Sequence, residues 1–168
     1  VEAENCVNFG VVNGTVSVSG GRFDRDPSDY LAEACEVVVN GDGSYTVEKY
    51  ALVTDAKALE DALLAGGKVV LGADIDFENE IINYNKNVIA TLDLNGYTLS
   101  NFAIGVNSGT LTVFDSYDGN DRRGMIKSTS SIFSVYGGIL NIESGVYEVS
   151  ANSNSVIAIS EGELYIRG

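Results

Sequence analysis

Paired carboxylates are the first place to look for chemistry in this chain. The stretch ADIDFENE spaces Asp74, Asp76, Glu78 and Glu80 two apart, so a strand there carries them on one face, opposite Ile75 and Phe77. Two carboxylates facing each other across a groove are what glycoside hydrolysis requires. A solvated acidic face over an apolar one gives the same alternation without any reaction, and we adopt that reading. A second cluster sets Arg122 and Arg123 beside Asp115, Asp118 and Asp121. A polysaccharide lyase needs a base and a cation in such a place, and DSYDGND offers closely spaced oxygens around Gly119, loosely like a calcium loop. The full alternating acidic spacing and the distal bidentate Glu are missing. Asp115, Asp118 and Asp121 are therefore a calcium candidate only, inside a mixed-charge surface loop. There is no His to serve as the usual base of a nucleophilic triad, and no Gly-rich phosphate loop. We assign no catalytic residue and no cofactor, and expect a protein that is not an enzyme.

The composition narrows the partners. A net charge of −14 over 168 residues repels phosphates and anionic lipid, so nucleic acid is not an expected partner. No apolar run reaches the roughly 20 residues of a membrane helix, and no membrane insertion is expected. The chain starts at Val1 rather than Met and has no leader-like segment, which processing or excision from a longer polypeptide would explain. These features fit an extracellular, cell-surface or virion protein. The two cysteines, Cys6 and Cys35, fit no zinc spacing. In an exported protein they are expected to form a disulfide, worth roughly 3–4 kcal/mol by chain entropy; two buried thiols are the alternative.

The elements that must position all this come from an internal repeat. NGTVSVSGGRF, SGTLTVFDS, GGILNIESGVY and EGELYIRG share a glycine, one residue, then apolar-x-apolar alternation. Gly138 and Gly162 are 24 residues apart, and Gly109 precedes Gly138 by 29, the excess falling on the polar insertion YDGNDRRG. GKVVLGADIDF and ATLDLNGYTLS read as further rungs, with SIFSVY and SVIAIS as second strands between them. A period of about 20–25 residues with two or three short strands and Gly/Asn/Ser/Asp turns predicts an all-β parallel solenoid, in which stacked coils share one core. An antiparallel sandwich also has many short strands. The near-fixed phrase and the single proline favour the solenoid.

Two segments read as covers for its ends. TDAKALEDALLAGG predicts a helix over about 54–65, with Thr54 as N-cap, Asp55 in the first turn, Ala58, Leu59, Ala62 and Leu63 on one face, and Gly66-Gly67 as its end. DPSDYLAEACEVVVNGDGSYTV predicts a brief helical turn at Pro27-Ser28, then a hairpin turning at Asn40-Gly41-Asp42-Gly43. GGRFDRDPSDYLAEACEVVVNGDGSYTVEKY resembles the closing segment, and VTDAKALEDALLAGGKVVLGADIDF with ATLDLNGYTLS the opening, of pectate-lyase-like parallel β-helix domains of secreted bacterial surface proteins and phage structural proteins. Together these stretches cover roughly half the chain. Cys35 is not part of that pattern. The resemblance implies a right-handed β-helix and marks architecture rather than activity.

The order of these pieces is unusual. A closing segment, 1–50, precedes an opening one, and the β-helix then occupies 51–168. Read cyclically, Gly162 to Gly14 of a following copy is 20 residues, which restores the rhythm. The expected arrangement is a head-to-tail fibre or appendage in which residues 1–50 of one copy complete and cover another's last coil. A piece of a longer array, or folding back in cis, would satisfy the same pattern. The expected assembly surface is Val7, Phe9, Val16, Val18, Phe23, Tyr30 and Leu31 against Leu164 and Ile166. The alternative function is a carbohydrate-binding or carbohydrate-cleaving module of an adhesin or phage spike, with glycans as partners and exposed tyrosines to stack on them.

Overall fold

The computed structural model describes residues 14–150 and 155–167. The chain divides into two compact units, Val1–Tyr50 and Ala51–Gly168.

The first unit is a small antiparallel sheet. Strands β1 (Gly21–Phe23), β2 (Cys35–Val39) and β3 (Tyr45–Lys49) lie in the order β1-β3-β2. The hairpin between β2 and β3 turns where the Asn-Gly-Asp-Gly stretch predicts. Asn40 N–H donates to Ser44 C=O at 2.8 Å, and Gly43 takes φ +84°. A short 3-10 turn, Ser28–Tyr30, follows Pro27. Val18, Cys35 and Val47 are buried with Phe23, Leu31, Ala32 and Val37 packed against them. Among the described residues there is no disulfide: Cys35 is a buried free thiol, and its expected partner Cys6 lies outside them. NGTVSVSGGRF does not form a rung here. It makes one isolated parallel bridge, Val18 to Leu31, and then enters β1 antiparallel to β3.

The second unit is a parallel β-solenoid of about four turns. It opens with β4 (Ala51–Val53) and α1 (Ala56–Ala65). The cap of α1 is Asp55 rather than Thr54, because it is the Asp55 carboxylate that reaches Ala58 N–H, at 2.8 Å. Leu59 and Leu63 are fully buried, and Gly66 at φ +85° ends the helix, so that Gly67 already belongs to the next strand. Three strands then recur in each coil. They are β5 (Gly67–Leu71), β6 (Ile75–Asp76) and β7 (Ile81–Tyr84); β8 (Ile89–Asp93), β9 (Thr98–Ser100) and β10 (Ala103–Val106); β11 (Thr110–Phe114), β12 (Met125–Ser128) and β13 (Phe133–Val135); and β14 (Ile139–Ile142), β15 (Val146–Val149) and β16 (Ile157–Ile159). Strand β17 (Glu163–Ile166) begins a fifth. Like strands stack into three parallel sheets, β17-β14-β11-β8-β5-β4, β15-β12-β9-β6 and β16-β13-β10-β7.

Register turns sequence alternation into interior ladders. One runs Val69, Leu92, Val113, Ile142 and Ile166, and others run Ile75, Leu99, Ile126, Tyr147 and Ile82, Ile104, Phe133, Ile157. No coil buries its apolar face alone; the stack makes one core, which Phe77 and Phe102 fill edge to face at 5.2 Å. The repeated glycine sits at the corner where the chain passes closest to the coil before it. A Cβ on Gly162 would lie 2.4 Å from Gly138 C=O, and one on Gly109 2.4 Å from Val88 C=O.

Tyr84 is fully buried in this core, and Tyr147 is half-buried against it. Burial raises the pKa of Tyr84, whose hydroxyl is placed for Val88 and Thr110 C=O at 2.9 and 3.1 Å, and raises that of Tyr147 still further, with the Asp115 charge adding to it. The folded state therefore holds these phenols neutral. Stability is full below the ordinary phenol value of about 10 and falls as pH rises above it, because the unfolded chain ionises first. In a titration followed by tyrosine absorbance, Tyr84 is expected to ionise only as the fold is lost, and Tyr147 after the exposed phenols. Ionisation together with the exposed phenols, fold intact, would contradict the packing.

Candidate functional site

Three places could do something: the last rung, the insertion loop and a groove on one flank. The last rung leaves interior positions uncovered. Ile142 is 6% exposed and Val135 is buried, yet their ladder successors Ile166 and Ile159 are 67% and 50% exposed. Leu164 is half-buried. Glu163 and Arg167 N–H donate back to Gly138 and Ile142 C=O at 3.0 and 2.8 Å. Strand alternation then points the N–H and C=O of Leu164 and Ile166 the other way, along an edge with no strand beside it among the described residues. On the first unit, Val18, Phe23 and Leu31 serve that unit's own core, while Val16 and Tyr30 are exposed. Val7 and Phe9 lie outside the described residues.

The loop between β11 and β12 is built around an arginine held between rings. The Arg122 guanidinium sits 4.3 Å from the Tyr97 ring centre and 4.4 Å from that of Tyr117. Tyr117 Oη donates to Asp121 at 2.6 Å, which holds that carboxyl below its usual range and raises the phenol. Asp115 is committed elsewhere: its carboxylate accepts from Gly96, Tyr117 and Gly124 N–H. Asp115, Asp118 and Asp121 do not converge, and among the described residues no three His, Cys, Asp or Glu side chains form a metal site.

The groove was invisible as a linear motif. Asp76, Ser100, Lys127 and Glu148 are successive register partners on β6, β9, β12 and β15. With Asn101, Ser128, Thr129, Val149 and Ser150 they line a cavity of about 630 Å³. Asp76 accepts from Glu78 N–H at 3.0 Å and Asn101 Nδ2 at 2.8 Å, and these bonds hold its carboxyl below the usual range. Of the four spaced carboxylates only Asp76 faces this groove. Asp74 accepts from Thr98 N–H at 2.7 Å. The alternation holds through Phe77, which is buried like Ile75, and then stops because Glu78 and Asn79 take φ +51° and +68°.

The chain matches no known protein family, no curated protein and no solved structure. The groove must be judged on its own chemistry. Asp76 and Glu148 are three rungs apart, about 14 Å at strand spacing, beyond the roughly 5–9.5 Å that glycosidase carboxylates span. Asp76 is also held ionised and is a poor proton donor. These two carboxylates are not placed as a glycosidase pair.

Proposed function

We propose that this protein is a structural solenoid that associates end to end through its last rung into a fibre or appendage outside the cell or on a virion. The observation that carries this reading is the exposure of Ile159 and Ile166, at ladder positions that are buried one coil earlier. An interior ladder left open, beside a row of main-chain groups that no described strand pairs, is the surface that strand addition uses. Ile166→Asp puts a charge on that face at a position that is 67% exposed, above Ile142 of the last buried rung. Wild type is expected to show oligomers by sizing and light scattering, and the variant to lose them while keeping the circular dichroism of the folded chain. A wild type that stays monomeric at high concentration would sink the reading.

A second reading is favoured by the groove. Its stacked carboxylate, hydroxyl, ammonium and carboxylate suit a polyhydroxyl chain such as a glycan, held by hydrogen bonds rather than cut. Lys127→Ala is expected to weaken capture on a glycan array at least tenfold while leaving assembly intact. An array with no hit for wild type would remove this reading and not the first.

A further inference from the structure

We propose that the partner of the open rung is the segment Thr15–Ser19 of a second copy, laid parallel on β17 with Gly14 over Gly162, Val16 over Leu164 and Val18 over Ile166. This rests on the end-to-end reading and adds its partner strand and its register.

The side chains repeat in phase. After each corner glycine, the second and fourth residues point inward: Leu111 and Val113 after Gly109, Leu140 and Ile142 after Gly138. Leu164 and Ile166 continue the same ladders after Gly162. Gly14 is followed at those places by Val16 and Val18.

The backbone is in phase too, which the sequence could not reveal. In the solenoid, the first residue after each corner donates back to the coil before: Thr110 N–H to Val88 C=O at 2.9 Å, Ile139 to Gly109 at 2.9 Å, Glu163 to Gly138 at 3.0 Å. First, third and fifth residues thus point back, and second and fourth point onward. Val18 is a fourth residue. Its N–H donates to Tyr30 C=O at 2.7 Å and its C=O accepts from Ala32 N–H at 2.8 Å, in a parallel bridge to Leu31. The small unit therefore occupies the side of this segment that would face onward from β17. The other side, with the N–H groups of Thr15, Ser17 and Ser19, makes no backbone hydrogen bond to any described residue. With the opposite phase, docking would break the Val18–Leu31 bridge; with this one, both sides are used.

Charge agrees. Thr15, Ser17 and Ser19 are neutral and would stack beside Glu163, Tyr165 and Arg167, so the two strands place no like charges opposite each other in a chain of net charge −14. Docked in this way, the ladder Val113–Ile142–Ile166 gains Val18 and then Leu31, and the small unit closes the coil that β17 begins. The contact joins two different surfaces, and the second copy's own β17 can accept a third.

In-register neighbours about 4.8 Å apart lie within disulfide reach. Ser17→Cys/Tyr165→Cys, oxidised at assembling concentration and mapped by peptide mass, is expected to give a covalent ladder linked through positions 17 and 165. The offset pair Ser17→Cys/Glu163→Cys should link far less. A monomer closed on itself through 17 and 165 would place the segment in cis and overturn the second copy as partner. Oligomers without that link, or linked at the offset, would overturn the register while leaving end-to-end association standing. No oligomers even for wild type would remove both. Ser17→Pro gives an independent check: it removes an N–H that no described residue of the small unit accepts, so association should weaken about tenfold or more while the circular dichroism of the chain is unchanged. Association equal to wild type would count against the strand.

Discussion

Gly109→Ala is expected to cost the solenoid about 3–5 kcal/mol, a large share of the 5–15 kcal/mol that holds a domain of this size. Two terms add. Gly109 sits at φ +72°, where a Cβ costs about 1–2 kcal/mol. That Cβ would also lie 2.4 Å from Val88 C=O, 2.7 Å from Lys86 C=O and 2.9 Å from Val88 N. All three atoms are backbone, and Val88 C=O is already bonded to Thr110 N–H and near the Tyr84 hydroxyl, so it cannot retreat without disturbing the corner. Gly67→Ala separates the terms, since Gly67 has φ +90° with nothing within 4 Å of the added carbon. It should lose only the dihedral cost. At roughly 2–4 °C per kcal/mol, Gly109→Ala should melt about 6–20 °C below wild type and Gly67→Ala a few degrees below. Equal melting temperatures would mean that coils do not approach each other at the corner as described.

That corner explains why so much of the fold was legible. The glycine of the repeated phrase and the alternation after it are two consequences of one geometry: close passage of successive coils, then a strand with one face inward. Both leave marks on every rung. What the phrase cannot encode is which strand supplies the neighbour. Thr110–Phe114 and Ile139–Ile142 meet parallel partners, whereas the copy at Gly14 meets Leu31 and then an antiparallel sheet. The N-cap shows the same limit at smaller scale. Thr54 and Asp55 are both good caps by type, and only the position of Ala58 N–H decides between them.

The candidate sites were less legible, for a geometric reason. Asp76, Ser100, Lys127 and Glu148 become neighbours only once the rungs are in register, and their separations of 24, 27 and 21 residues are uneven because the loop after β11 lengthens one coil. Arg122 drew attention for its charge, while its partners are the rings of Tyr97 and Tyr117, one on the preceding coil. The carboxylates of ADIDFENE misled in the opposite sense. Their alternation looked continuous, but the strand ends after two residues, where Phe77 packs on Phe102.

Asp115→Ala is expected to cost about 2–4 kcal/mol, far more than Asp118→Ala at the exposed tip of the same loop. The Asp115 carboxylate draws three stretches of chain together. One oxygen accepts from Gly96 N–H at 2.7 Å and Tyr117 N–H at 3.4 Å, the other from Gly124 N–H at 2.7 Å. Its own N–H donates to Ser144 Oγ on the following coil at 2.8 Å. Gly124 is buried, so without the carboxylate its N–H has neither a partner nor water, a loss of about 1–3 kcal/mol, and a charged acceptor makes each lost bond stronger than usual. Asn at this position restores little. One of its two groups is an amide NH₂, which would face either the Gly96 or the Gly124 donor. Melting curves should therefore rank wild type and Asp118→Ala together, then Asp115→Asn, then Asp115→Ala. Hydrogen exchange should quicken at Gly96 and Gly124 in the last two. Calcium provides the contrary test. If this carboxylate were a metal ligand, added calcium would raise the melting temperature of wild type and chelation would reproduce the Asp115→Ala loss. With its oxygens already given to backbone N–H groups, neither is expected.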